Sequence, residues 1–185
     1  DLQHNNILVE SDGKMRLVDY DGMFVPGLQG RRAIEIGEPN YQSPKRSGAD
    51  YHERLDHFSA ITIYLALLAL ATAPRLLPMT DDLKVEPLLI RKDDLKQAKT
   101  SPLFQCLRDI GYTRAADLLV DQCAIDNTRN VLDLEAFIKQ SGLHPVKPFT
   151  RKPTPACDSV MMPEARFNLI AASAASTAPA PVSEP

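Results

Sequence analysis

The sequence predicts an α+β fold that is mainly α-helical. Three observations support this fold class: a hairpin signal in the first 22 residues, a strongly apolar stretch at residues 56–71, and several short amphipathic stretches between residues 93 and 140. A chain of 185 residues, 44% of them hydrophobic, is long enough to form one domain with a buried core. We therefore predict one domain over residues 1–142, followed by a tail over residues 143–185.

Charge and cysteine content limit the classes of function. A formal net charge of −3 gives no reason to expect binding to nucleic acid or to an anionic membrane. The three cysteines are far apart and lack a Cys-x-x-Cys spacing, so we predict free thiols in a reducing compartment. The N-terminus is polar from its first residue and shows no signal peptide. Together these features predict a cytoplasmic protein. The histidines show no metal-ligand spacing, and three of them are predicted at the surface: His52, His57 and His144.

The first 22 residues predict a hairpin that ends in a polar site. Strands are expected over Ile7–Glu10 and Met15–Val18, because a Ser-Asp-Gly-Lys turn separates two apolar runs. The second strand ends on Asp19, so the hairpin carries that side chain back beside Asn6 and Asp1. Three oxygen-bearing side chains would then converge, as a magnesium–phosphate site requires.

The next segments are predicted to be a loop and a buried helix. Residues 23–36 hold two Gly and one Pro and show no sustained period, which is typical of a loop. Residues 56–71 are apolar on nearly every side, so we predict a core helix with Asp56 as its N-cap. The stretch is only about 15 residues long, whereas a membrane span needs about 20.

The rest of the chain predicts short packing helices and a tail. These helices are expected at residues 93–98, from Ser101-Pro102 onwards, at residues 113–124, and at residues 133–140 with Gly142 as the stop. From His144 onwards the chain holds eight of its 15 prolines and ends in Ala, Ser, Thr and Pro residues. Such a composition predicts disorder.

The order of residues in the first 22 positions resembles the catalytic and metal-binding loops of protein kinases, which carry Asp-Leu-x-x-x-Asn and then Asp-Phe-Gly. Asp1 matches the catalytic Asp and Asn6 matches the Asn. Asp19, 13 residues after Asn6, matches the metal-binding Asp. The sequence is most similar here to a bacterial group of Ser/Thr protein-kinase-like proteins.

Two further segments resemble the same family. Gly-Glu-Pro-Asn-Tyr-Gln-Ser-Pro at residues 37–44 is similar to the Gly-Thr-Pro-x-Tyr-x-Ala-Pro-Glu run that closes the kinase activation segment. Asp56-x-Phe-Ser is similar to the kinase Asp-x-Trp-Ser motif, which implies that Asp56 binds the backbone of the catalytic loop. These segments favour the protein-kinase branch over small-molecule kinases.

The resemblance implies a kinase C-lobe, with a short hairpin beside the catalytic loop and a buried central helix. It also implies ATP and Mg²⁺ as cofactors and a protein as the substrate. Asp1 would orient the attacking hydroxyl, while Asn6 and Asp19 would hold the metal ions that bridge the ATP phosphates.

Four positions depart from the kinase pattern. Gln3 stands where Ser/Thr kinases often have a Lys, and a neutral amide cannot neutralise phosphate charge. Asp21 replaces the Gly of Asp-Phe-Gly and either contacts the metal or caps the following turn. Glu38 replaces a Thr, and Lys45 reverses the charge of a structural ion pair, which must then be replaced or rewired.

Three hypotheses follow for function. The chain begins at the catalytic Asp, so under the resemblance the N-lobe is missing and the fragment is expected to be inactive alone. The first hypothesis is the C-terminal part of a protein-kinase-like phosphotransferase. The alternatives are a pseudokinase that acts as an interaction module and a small-molecule kinase of the aminoglycoside or choline type.

Overall fold

The computed structural model describes residues 1–76 and 87–144, which all belong to one unit spanning Asp1–Pro145. This part of the chain is mainly helical with a small two-stranded sheet, as predicted. Residues 77–86 and nearly all of the predicted tail lie outside the described residues. The strands are β1 (Ile7–Val9) and β2 (Met15–Leu17), and the helices are α1 (His57–Thr72), α2 (Lys92–Lys96), α3 (Pro102–Leu107), α4 (Thr113–Cys123) and α5 (Leu134–Ser141).

The predicted hairpin is present, with β1 and β2 antiparallel and Val9 opposite Met15. Its turn is closed by the Glu10 N–H, which donates to the Lys14 carbonyl oxygen at 2.8 Å. Gly13 lies in this turn with φ 87°, a conformation that a residue without a Cβ adopts at little cost. The Asp-Gly signal therefore predicted the turn for the correct physical reason.

Helix α1 forms the centre of the core. Phe58, Ile61 and Leu65 are almost completely buried and belong to one apolar cluster with residues of the four later helices. Within α1, the Thr62 hydroxyl is satisfied locally, because Thr62 Oγ1 donates to the Phe58 carbonyl oxygen at 2.9 Å. Burial on nearly every side explains why the sequence of this helix has no polar face. No helix in the described residues is long and apolar enough to cross a membrane.

The short helices begin and end at the residues that the sequence indicates. Ser101 Oγ accepts a hydrogen bond from the Leu103 N–H at 3.2 Å, with Pro102 as the first helical residue. Asp133 Oδ1 caps α5 by accepting from the Ala136 N–H at 2.7 Å. Gly142 ends α5 in the left-handed conformation, with φ 69°.

A wide turn over Arg108–Tyr112 joins α3 to α4 and was not predicted. Gly111 allows it by adopting φ 100° inside the helical run. The turn places the Tyr112 hydroxyl within 3.3 Å of the Leu68 carbonyl oxygen of α1. This contact ties the α3–α4 pair to the central helix.

Candidate active site

The predicted site residues line one small cavity at the end of the hairpin. The cavity measures about 50 Å³, and Asp1, Asn6, Asp19 and Asp56 all contribute to its wall. Asp19 reaches this position because the Val18 N–H donates to the Asn6 carbonyl oxygen at 3.0 Å, which pairs the end of β2 with the loop before β1. The hairpin therefore brings together side chains that are far apart in sequence.

The Asp1 carboxylate is held by donors on both oxygens. Oδ1 accepts from the Glu38 N–H at 3.0 Å, and Oδ2 accepts from Gln3 Nε2 at 2.8 Å. Gly37 passes so close that a Cβ built on it would lie 2.5 Å from Asp1 Oδ1. Glycine is required at this position for the close approach and also for its φ of 88°.

Asn6 is the most buried of the predicted site residues, with 8% of its surface exposed. It ends a 3-10 turn, His4–Asn6, and its Nδ2 donates to the Asp1 carbonyl oxygen at 2.9 Å. Its side chain therefore closes the loop between Asp1 and β1. With Nδ2 engaged inside the loop, the side-chain oxygen is the atom left to act as a ligand.

Asp56 supports the same loop from α1. Its Oδ1 accepts from the Leu2 N–H at 3.4 Å, which is the type of contact that the resemblance implies. The prediction that its side chain caps α1 was wrong. Asp56 occupies the N-cap position, but its side chain makes no capping hydrogen bond. The carboxylate instead accepts from a backbone N–H that lies 54 residues away in sequence.

Asp19 and Asp21 form a pair of facing carboxyl groups. Asp19 has φ 64°, a left-handed conformation that Asp tolerates better than most residues. A hydrogen bond with the Asp21 carboxyl raises the pKa of Asp19 above its ordinary value, and the same bond lowers the pKa of Asp21. A cation bound between two such carboxylates would relieve their repulsion. Asp21 thus faces Asp19, and this contact is one that sequence reasoning left open.

The donor atoms at this cavity fit a magnesium ion by type. Mg²⁺ prefers oxygen ligands, and it usually takes one or two carboxylates with water and phosphate oxygens completing its shell. Asp19 and Asn6 supply a carboxylate and an amide oxygen of this kind. The described residues contain no group of three or more His, Cys, Asp or Glu side chains that could hold a metal by themselves. Water or phosphate oxygens would complete the coordination shell.

Sequence reasoning missed the role of Tyr41. This side chain is 2% exposed, and its hydroxyl lies 2.5 Å from His4 Nδ1. The same hydroxyl accepts from the Leu88 N–H at 2.8 Å, while Ser59 Oγ of α1 donates to the Tyr41 carbonyl oxygen at 2.7 Å. Tyr41 thus fastens residues 37–44 to both the loop and the central helix.

The reversed charge at Lys45 has a counter-ion in this structure. Lys45 Nζ lies 3.0 Å from Asp126 Oδ1, in the loop after α4. Both side chains are substantially exposed, so the pair contributes little to stability by itself. It nevertheless shows that a cation at residue 45 is compatible with an ion pair across this part of the fold.

The prediction that His52 lies at the surface was wrong. Its side chain is 2% exposed, and its Nε2 lies 2.9 Å from Thr128 Oγ1. Thr128 Oγ1 also donates to Asp50 Oδ1 at 3.0 Å, so the three polar groups satisfy one another. Burial lowers the pKa of His52, and the nearby Arg129 lowers it further. The group is structural and lies away from the candidate site.

Comparison of the chain with protein-family models, with curated proteins and with solved structures gives no match.

Proposed function

We propose that this chain carries the catalytic-loop and metal-loop part of a protein-kinase-like enzyme, which transfers the γ-phosphate of ATP to a protein. One observation carries the proposal: Asp1, Asn6 and Asp19 line a single cavity. The kinase pattern requires these three residue types in this order, and it requires them to meet. The contact between Asp56 and the Leu2 N–H adds support, because it fixes the loop that holds Asp1 and Asn6.

Asp1 is the residue that would orient the attacking hydroxyl. Its two oxygens are fixed by Glu38 N–H and Gln3 Nε2, so the carboxylate has a defined direction before any substrate arrives. A carboxylate oxygen has more than one acceptor site, so it can still accept a hydrogen bond from a hydroxyl. Positioning of this kind is the main contribution that a protein makes to phosphoryl transfer.

Asn6 and Asp19 would hold the metal ions, with Asp21 as an auxiliary carboxylate. Mg-ATP, when bound, supplies the transferred phosphoryl group and the neutralisation of its charge. Asn6 is suited to this role because its side chain is buried and held by the loop. Asp19 is suited because its carboxyl already faces a second one, and a cation favours the ionised form of both.

A non-catalytic interaction module is the second candidate, and two observations favour it. Gln3 donates to Asp1 at the position where kinases often place a Lys, so no cation from this residue reaches a phosphate. The hairpin also exposes large apolar side chains on one face, with Val9 68% and Met15 74% exposed. An uncovered apolar face of a two-stranded sheet is typical of a surface that binds a partner.

Phosphate transfer by the natural protein that contains this sequence tests the proposal. With Mg-ATP and a generic protein acceptor, Asp1→Asn should reduce turnover roughly 100-fold or more, because positioned acid–base groups contribute on that scale. Asp12→Asn is the matched control, since Asp12 lies in the exposed hairpin turn and pairs with Lys14. Full activity of Asp1→Asn would reject the assignment. No transfer by the unmodified protein, together with binding of a partner through the hairpin, would favour the interaction module.

A further inference from the structure

A second cavity lies directly beside the candidate active site. It measures about 230 Å³ and is formed by residues 36–46 on one side and α2 on the other. Gly37 belongs to its wall, and the same glycine lies against the Asp1 carboxylate. Gly37 would therefore lie between the Asp1 carboxylate and a group bound in this cavity.

Two buried donors at this cavity have no acceptor. Gln42 is 4% exposed, and its Oε1 accepts a hydrogen bond from the Arg46 guanidinium. Gln42 Nε2 and Arg46 Nε are both buried and have no hydrogen-bond partner in the described part of the chain. Buried N–H groups without an acceptor are costly, and most buried polar groups in proteins are paired. Both side chains line the cavity, so an acceptor bound there could satisfy them.

Among the residues that the structure describes, the charged side chains that line the cavity are all cationic. Lys92 and Lys96 of α2 line it together with Arg46, and no described carboxylate is part of its wall. Among the described residues, neither lysine forms an ion pair, and the neighbouring Asp94 carboxylate accepts a hydrogen bond from the Ser101 hydroxyl. The cavity thus combines unpaired positive charge with unsatisfied N–H donors, which is the chemistry that binds an oxyanion.

We propose that this cavity binds an acidic side chain, Asp or Glu, of the protein substrate and so directs a nearby hydroxyl to Asp1. The inference rests on the proposed function and names its substrate class. Lys92 and Lys96 attract the carboxylate, and the Gln42 and Arg46 donors fix it. The apolar side chains Ile36 and Leu95, which also line the cavity, accept the methylene groups of the same residue.

Binding of a labelled peptide tests the inference without any need for catalysis. The probe is a fluorescein-labelled peptide with Glu residues around a central Ala, so that it has no acceptor hydroxyl. Its affinity for the full chain is measured by fluorescence anisotropy and compared with that of a peptide in which Gln replaces every Glu. We expect the Glu peptide to bind more tightly, with a preference that decreases as salt increases.

Three variants locate the bound peptide. Lys92→Gln combined with Lys96→Gln should weaken binding about tenfold, because each exposed ion pair contributes a few-fold. Gln42→Glu keeps the size of the side chain but replaces the orphaned donor with an anion, and it should abolish the preference for Glu. Lys139→Gln removes an exposed cation from α5 instead, and it should leave the affinity unchanged.

The outcomes separate this inference from the proposed function. Equal affinity for the two peptides, or equal loss with Lys139→Gln, would overturn the inference. Displacement of the Glu peptide by inorganic phosphate at equal concentration would overturn it as well, because the cavity would then be selecting a small anion. The three variants could change peptide affinity as expected in a protein that transfers no phosphate. That result would support the cavity as an acidic-peptide site and reject the proposed phosphotransferase activity.

Discussion

Replacing Gly37 by Ala should destabilise the fold and displace the Asp1 side chain at the same time. The new Cβ would lie 2.5 Å from Asp1 Oδ1 and 2.9 Å from Asp1 Cγ, distances that non-bonded atoms do not adopt. The carboxylate can rotate away, but it then loses its hydrogen bond from the Glu38 N–H. A φ of 88° adds strain for any residue with a Cβ.

Two terms set the loss of stability: the first is the backbone strain at residue 37, and the second is the lost hydrogen bond between Asp1 and the Glu38 N–H. Left-handed backbone costs an L-residue about 1–2 kcal/mol, and a typical hydrogen bond contributes about 1 kcal/mol. We therefore expect Gly37→Ala to lower the free energy of unfolding by about 2–3 kcal/mol. Gly30→Ala isolates the first term, because Gly30 has φ 83° with nothing within 4 Å of its added Cβ. That control should cost only about 1–2 kcal/mol.

Urea denaturation of both variants, with and without Asp1→Ala, measures the second term directly. Asp1→Ala removes the carboxylate that Gly37→Ala would strike, so in that background the two glycine variants should cost nearly the same. The coupling in this double-mutant cycle should be about 1 kcal/mol. Zero coupling would show that Gly37 does not hold Asp1, and the geometry derived for the site would then be wrong.

Three further predictions concern other parts of the fold. Burial raises the pKa of the Cys123 thiol to about 12, so Cys123 should resist alkylation at pH 8 until the chain unfolds, whereas the less buried Cys106 should react earlier. Labelling of Cys123 at the same rate would contradict this burial. Lys45→Glu should lower stability by about 0.2–1 kcal/mol, and adding Asp126→Lys should restore it; no recovery in the exchanged pair would exclude a direct interaction. The lowered pKa of His52 means that the unfolded chain binds more protons below about pH 6.5, so stability should fall as the pH decreases through that range. His52→Gln should flatten this dependence of the melting temperature, and an unchanged slope would assign it to another group.

Local sequence signals predicted the elements whose ends depend on local chemistry. The Asp-Gly turn, Ser101 with Pro102, and Asp133 with Gly142 act on backbone groups only a few residues away. The central helix was equally clear, because burial on all sides leaves a continuous apolar sequence. In these elements, the residues that determine the structure lie within the element or directly beside it.

Tertiary contacts determined the features that local sequence signals did not reveal. Asp56 has the residue type of an N-cap, yet its carboxylate accepts from the Leu2 N–H, a contact that only the resemblance implied. The role of Tyr41 depends on its contacts with α1 and His4. The charge of Lys45 indicated that an ion pair had to be rewired, but nothing local pointed to Asp126, 81 positions later. In each case the partner is distant in sequence, so no pattern within a short stretch identifies it.

The convergence of Asn6 and Asp19 on one cation site is the central claim, and paramagnetic broadening by Mn²⁺ tests it most directly. Mn²⁺ replaces Mg²⁺ at oxygen sites and broadens NMR signals of nearby nuclei. In the ¹⁵N-labelled chain, we predict that Mn²⁺ broadens the Asn6 side-chain amide and the Asp19 backbone amide first, with little effect at Gly13 in the hairpin turn. Asp19→Ala should abolish this selective broadening. Equal broadening of the turn and the site, or no change on Asp19→Ala, would contradict a cation site formed by these residues.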